Sequence, residues 1–370
     1  MNTIRTFLRE MMVDSRKIIS RLRSWGKRVL TPTSFEDIWI KNSSFPEQVS
    51  LILSLICTSN CIFCAEKGKN IKEKLMPFEL VVKILKELQE YNFKGGFNLS
   101  EFGDVLTHLR FKEIVMEIRK LFPRNNISLY SNMVLMNEDN AKFLLENNLN
   151  YLHFNFDGFN EINYEYIKRN QKYKQVKQNI LNFFKLRDEI NPNCVISIGI
   201  VSAKRFSEEI EDKLGLFEDD ENKIKEFFRP YLKKQDNIKS DVISLEKYEN
   251  FLLREKKEPC RMFDRILKDI FIAPNGQVYI CCCDYGITSN LGNVNYQTIK
   301  EIWSSELRRN ILKNLFALNF KKAFEVCRTC LPYLNTMPEY LKVKKRLRRM
   351  FKEKRLEFIN GKLVINSNSK

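Results

Sequence analysis

Histidine is nearly missing from this chain: His108 and His153 are the only two among 370 residues. A metal centre built on imidazole is thereby excluded, and both rings are expected to act as packing or hydrogen-bonding groups. Long apolar runs are missing as well. No stretch reaches the length that spans a bilayer. The first thirty residues hold neither an unbroken apolar segment nor a small-residue cleavage site, so no secretory signal is expected there. Cysteine, by contrast, is plentiful. Ten thiols gather as Cys57/Cys61/Cys64, Cys260, Cys281/Cys282/Cys283 and Cys327/Cys330, with Cys194 alone. Such grouping is not the framework of a small disulfide-bonded domain. With no secretion signal it points to metal held in a reducing cytoplasm, so a cytoplasmic location is expected.

The net charge of +17 is unevenly spread. Residues 1–30 carry +6 and residues 341–355 carry +8, leaving about +3 for everything between. The basic character therefore belongs to two terminal arms, and nucleic acid lying across the body of the fold is not expected. In the first arm Ile4, Phe7, Leu8, Met11, Ile18, Ile19, Leu22 and Trp25 alternate with arginine and lysine. An amphipathic helix resting on an anionic membrane suits that mixture, as does packing on the fold or docking a partner. The tail "KVKKRLRRMFKEKR" (342–355) adds a segment attractive to lipid or RNA. A plain solvated face is the alternative for each arm.

From residue 48, short apolar runs alternate with amphipathic stretches. Strands are expected at 48–56, 96–100, 127–131, 151–156, 195–201 and near 240–245. Helices are expected at 76–91, 109–121, 138–147, 161–190 and near 219–232. Six strands alternating with helices predict parallel βα units, and six are too few for a closed eight-stranded barrel. After residue 250, "ILKDIFIAPNGQVYICCCDY" (266–285) reads as a hairpin around Asn275-Gly276. A helix at 298–316 and "CRTC" (327–330) follow, as a small module without a sizeable apolar core of its own. The expected organisation is an arm (1–46), an α/β partial barrel (47–250), a second module (251–335) and a tail (336–370).

The stretch "CTSNCIFC" (57–64) places three thiols in eight residues after the first strand. Structural zinc wants four ligands and a disulfide two, whereas three thiolates on an iron–sulfur cube leave one iron open. Zinc with a distant fourth ligand and plain buried thiols are the competing readings. At this point the chain resembles the radical S-adenosylmethionine (SAM) superfamily, whose mark is C-x3-C-x2-C after the first barrel strand. "FGDVLTHLRF" (102–111) is similar to that family's "GEPLLHP" segment, with Asp104 for Glu and Val105 for Pro. "SNMVL" (131–135) is similar to "TNG-x-L", and "FNFDG" (154–158) to "S-x-DG".

The resemblance covers about residues 48–335. It implies a (β/α)6 TIM-like barrel in which Cys57, Cys61 and Cys64 hold a [4Fe-4S] cluster. Gly103, Asp104, Ser131, Asn132 and Asp157 would contact SAM. Phe63 would shield the cluster. The implied chemistry is reductive cleavage of SAM to a 5′-deoxyadenosyl radical that abstracts hydrogen from a substrate, with the barrel fixing the reacting geometry. A one-electron donor such as flavodoxin or ferredoxin is implied too.

Cys260-x15-Gly276-x4-Cys281 followed by Cys327-x2-Cys330 resembles the SPASM/twitch extension of such enzymes, as does "LGNVNYQTIKEIWSSELRR" (291–309). No cysteine follows Cys330, so the shorter twitch form with one auxiliary [4Fe-4S] cluster is expected. Its ligands would be Cys260, Cys281, Cys327 and Cys330, with Cys283 as a substitute on the same strand face and Cys282 pointing away. A four-thiolate zinc ribbon is the alternative. Twitch relatives include alcohol dehydrogenases acting on sugars and cyclitols. The function expected here is oxidation of such a small molecule, the auxiliary cluster accepting an electron. A peptide-modifying maturase is the second reading, although the stretch before residue 48 is short for peptide recognition. A non-catalytic cluster-bearing scaffold, or membrane or RNA binder, is the third.

Overall fold

The computed structural model describes residues 34–61, 64, 72–99, 102–201, 220–241, 260, 262–329, 356–359 and 362–365. The arm over 4–30, the basic segment 342–355, Phe63 and Cys330 lie outside the described residues.

A helix capped by Ser34 and Asp37, α1 (Phe35–Asn42), precedes the first strand. Then come β1 (Gln48–Leu51), α2 (Phe78–Glu90), β2 (Gly96–Leu99), α3 (Phe111–Leu121), β3 (Ile127–Tyr130), α4 (Glu138–Glu146) and β4 (Tyr151–Asn155). Two helices, α5 (Glu161–Lys168) and α6 (Tyr173–Ile190), lead to β5 (Val195–Val201), α7 (Asp220–Phe228) and β6 (Asn237–Asp241). Helical spacing decides which residues turn inward: α2 buries Leu80, Val81, Ile84, Leu85 and Leu88 and leaves its charged positions outside. The six strands are parallel neighbours in chain order and the sheet does not close, so the expected partial barrel is present.

The second module departs from expectation. The run 266–285 begins as helix α8 (Phe263–Lys268), and only then forms β7 (Asp269–Ile272) and β8 (Gln277–Tyr279). Gly276, at φ 82°, makes the turn between them. β7 pairs in parallel with β1, and β8 and β9 (Gly292–Asn293) extend the same nine-stranded sheet. Phe271, Tyr279, Trp303 and Leu312 join the single buried cluster that fills the barrel. The module therefore shares one apolar core with the barrel, because "IFI" in β7 lies along β1 as another buried strand.

Two long helices predicted from periodicity are each broken. Residues 298–316 form α9 (Ile299–Trp303) and α10 (Glu306–Phe316), since Ser305 accepts from Arg308 N and starts a new helix. Arg308 then stacks 3.4 Å from the Trp303 ring centroid and donates to Trp303 O, Ile266 O and Leu267 O. Burial pulls its pKa down to about 9. The other break, at Arg169–Asn170, has φ 47° and 36° and bears on the site. In the tail, Leu356–Ile359 and Lys362–Ile365 pair as an antiparallel hairpin.

Candidate metal centre and cofactor site

β1 ends at Leu51, earlier than its apolar run, because the chain finds a new partner. Leu55 N donates to Lys74 O (2.8 Å), Met76 N donates to Leu53 O (2.9 Å), and Ser54 bridges Leu75. This antiparallel clasp ties together the two ends of the segment that carries Cys57, Cys61 and Cys64. All three are half-buried and outside any disulfide, and Cys64 N donates to Cys61 O at 3.0 Å. Among the described residues no three His, Cys, Asp or Glu side chains converge on a single ion. A cube spreads three thiolates over three irons and does not require that convergence.

The helix break places further groups against the same segment. Lys168 O accepts from Asn60 N at 3.2 Å, and Gln171, bonded to the Tyr164 hydroxyl at 2.5 Å, donates to Ser59 Oγ. Lys168 Nζ meets Asp157 Oδ2 at 2.5 Å, with both side chains almost wholly buried. Burial works against the ammonium, but Asp157, Cys61 and Tyr164 beside it hold its pKa above the ordinary lysine value. Burial likewise raises the Tyr164 phenol.

Gly103, Asp104, Ser131 and Asn132 gather beside the cysteine segment. Gly103 has φ 66°, and a Cβ there would stand 2.3 Å from Ser54 O, so the loop after β2 lies hard against the approach to Cys57. Asp104 is fully buried. Its Oδ2 accepts from Ser131 Oγ (3.0 Å) and Asn132 N (2.9 Å), while Oδ1 accepts from Leu106 N (2.9 Å). Asp104 N donates to Ile56 O at 2.9 Å. One carboxylate thus fastens the loops after β2 and β3 beside the cysteine segment. Val105, where the family has Pro, opens a short 3-10 turn that Asp104 caps. Met133 stands where the family motif has Gly and keeps the left-handed backbone, φ 67°, with its side chain wholly buried. Burial of that side chain offsets the conformational cost.

His108 Nδ1 accepts from Arg110 N (3.1 Å), which leaves the proton on Nε2, and Nε2 donates to Met76 O (2.9 Å). It is a bracing group, as expected. His153 belongs to a row missed in the sequence: Tyr130, His153, Ser197 and Asn237 stand in register across β3–β6. His153 bonds Ser197 Oγ (3.1 Å) and Asn155 Oδ1 (2.9 Å), and Ser197 donates to Asn237 Oδ1 (2.8 Å). The alternation in "YLHFN" was the available signal, since every second side chain there is polar or amphipathic.

In the second set, Cys281, Cys283 and Cys327 are buried and Cys260 is half-buried. The expectation that Cys281–Cys283 form a strand is corrected. β8 stops at Tyr279, and Asp284 N donates to Cys281 O at 3.0 Å, so the three thiols ride a turn. Asp284, fully buried, accepts from Thr288 N, Thr288 Oγ1, Ser289 N and Ser289 Oγ and closes that loop. Cys282 does differ from its neighbours, accepting from Arg265 Nη1 at 3.0 Å. Phe102, in the loop after β2, stands 6.2 Å from the Tyr279 ring and 5.9 Å from the Tyr285 ring.

The model of the radical SAM superfamily matches residues 51–204, and that of an iron–sulfur cluster-binding domain, SPASM, matches residues 260–331. The chain carries a radical SAM domain and a SPASM domain. A biotin synthase of Methanococcus maripaludis (strain C6) is 26% identical over 168 residues, 44% of this chain and 48% of the relative. The chain thus matches about half the length of that relative. A cysteine-type anaerobic sulfatase-maturating enzyme of Clostridium perfringens (strain 13) is 24% identical over 74% of this chain and 83% of the relative. The solved structure of native anSMEcpe with bound AdoMet shares the fold at TM-score 0.50 and 16% identity, covering 81% of this chain and 99% of that one.

A radical SAM domain takes a [4Fe-4S] cluster and SAM, and a SPASM domain takes auxiliary iron–sulfur. Among the described residues no helix is long and apolar enough to cross a membrane. The donor set fits these groups: three half-buried thiols, none in a disulfide, on a clasped segment at the strand ends, with Cys281 and Cys283 buried on another loop and Cys327 buried in the short helix Glu325–Thr329. Cys194, by contrast, sits in the core, where burial pushes its thiol up to about 12. In cluster-free protein at pH 8, iodoacetamide is expected to modify Cys57, Cys61 and Cys64 at least about tenfold faster than Cys194, as followed by peptide mass spectrometry.

Proposed function

We propose that this radical SAM enzyme is a dehydrogenase for a small polyhydroxylated molecule, a sugar or cyclitol. In this reading Cys57, Cys61 and Cys64 hold the cluster that binds SAM. Cys260, Cys281, Cys327 and Cys330 hold one auxiliary [4Fe-4S] cluster, and Gly103, Asp104, Ser131, Asn132 and Asp157 border the SAM pocket. The bound cluster and SAM together supply a carbon radical able to take a hydrogen atom. The substrate loses that hydrogen from a carbinol carbon, then the hydroxyl proton and one electron, and becomes a carbonyl. The barrel walls orient the alcohol and keep water away from the reacting carbon. The observation that carries the reading is Phe102 packed against Tyr279 and Tyr285. It joins the loop after β2 to the loop bearing Cys281 through one aromatic layer, which supports an auxiliary cluster near the barrel mouth as the acceptor of the second electron.

Anaerobic enzyme given SAM, dithionite and polyols deuterated at the carbinol carbon is expected to place deuterium in 5′-deoxyadenosine and to release a carbonyl product. Cys327→Ala is expected to lose about one cube of iron and sulfide and to stop carbonyl formation. An unchanged iron count would refute the auxiliary assignment. A second reading, modification of a peptide, draws on the sulfatase-maturating relative that is matched over 83% of its length. It gains if every polyol fails while peptides stimulate 5′-deoxyadenosine formation; no 5′-deoxyadenosine under any condition would favour a scaffold.

A further inference from the structure

We propose that Asn132 is a positioning residue that acts on the Cys57 sulfur and sets the reduction potential of the cluster bound there. Every polar atom of its side chain has an assigned task. Asn132 Oδ1 accepts from Val134 N at 3.0 Å, which fixes the amide so that its NH2 group turns the other way. The two hydrogens of that group then go to Thr58 Oγ1 at 2.9 Å and Cys57 Sγ at 3.4 Å. The backbone of Asn132 is held in turn, because its N–H donates to the buried Asp104 carboxylate, whose own N–H holds Ile56 O. Asp104 therefore fixes the donor and the approach to Cys57 from a single point.

An N–H directed at a thiolate withdraws electron density from the sulfur and stabilises the more negative, reduced cluster. Asn132 thus raises the potential and makes one-electron loading of the cluster easier. The proposal rests on Cys57 being a ligand. Iron counts on Cys57→Ala test that premise separately, and the potential is measured without substrate, so the choice between alcohol and peptide does not enter.

The test is a redox titration of anaerobically reconstituted protein followed by electron paramagnetic resonance, without SAM. At the potential where wild type is half reduced, Asn132→Ala is expected to lower the ratio of reduced to oxidised cluster about tenfold, a shift of about 59 mV for one electron. Asn132→Asp keeps the size and the acceptor for Val134 N but removes the donors and adds negative charge, and it is expected to fall further. Both variants should retain wild-type iron, and if Asn132→Ala does not load, Asn132→Asp decides. A midpoint equal to wild type in a fully loaded variant overturns the proposal. So does a loss confined to SAM affinity, which would return Asn132 to a plain cofactor contact.

Discussion

The Cys57→Ala/Cys61→Ala/Cys64→Ala protein is expected to purify anaerobically with about four fewer irons and four fewer sulfides per chain than wild type, and to form no 5′-deoxyadenosine. The thiols are half-buried and sit beyond the clasp of residues 53–55 with 74–76. Their loss therefore removes ligands without opening the barrel core, and the far-ultraviolet spectrum and melting profile of the apoprotein should match those of cluster-stripped wild type. Elemental analysis and product chromatography read the two effects independently. Iron that stayed in place would mean that the first cysteine set is not the resident cluster site.

Asp157→Ala is expected to destabilise the chain by about 3–5 kcal/mol, the cost of stripping an anion from a buried ion pair. Asp157 and Lys168 meet at 2.5 Å with side chains 0% and 4% exposed. Removing the carboxylate leaves an ammonium in a dry setting, where water cannot replace the lost partner. Asp157→Leu/Lys168→Met removes both charges and is expected to recover most of the loss. Urea denaturation of the two variants decides between this and a simple cofactor contact, for which the double replacement would gain nothing. The pH dependence follows from the raised Lys168 value. A cation favoured by folding contributes fully below its unfolded pKa, about 10.4, and its contribution is lost as pH climbs through the higher folded value. The difference between wild type and Lys168→Met should therefore hold steady from pH 7 to 9 and shrink only in strong alkali.

Periodicity made the barrel legible. Six apolar runs separated by helices became six parallel neighbours, and the cysteine segment fell at the end of the first. The organising groups were not legible. Asp104 looked like a substitute for a family glutamate, yet its partners are Ser131 and Asn132, separated from it by a whole βα unit. Asp284 was passed over beside the cysteines it arranges, since nothing in a lone aspartate announces four donors converging on it. Local pattern also misjudged two continuous helices. Arg169–Asn170 adopt left-handed backbone because Lys168 and Gln171 are drawn to the cysteine segment, a tertiary demand that overrides helix propensity. The hairpin turn was read correctly, whereas alternation was carried too far along it, and Cys281–Cys283 left the strand for a turn.

The pairing of β1 with β7 has an engineering consequence. Four rungs, Gln48–Asp269, Val49–Ile270, Ser50–Phe271 and Leu51–Ile272, sew the C-terminal piece to the barrel's opening strand. A polypeptide cut near residue 250 would present that strand as a bare, apolar edge ready to recruit foreign chains. Grafting another cluster-bearing module onto this barrel therefore demands a donor whose leading strand matches those rungs, and a flexible tether alone would not serve.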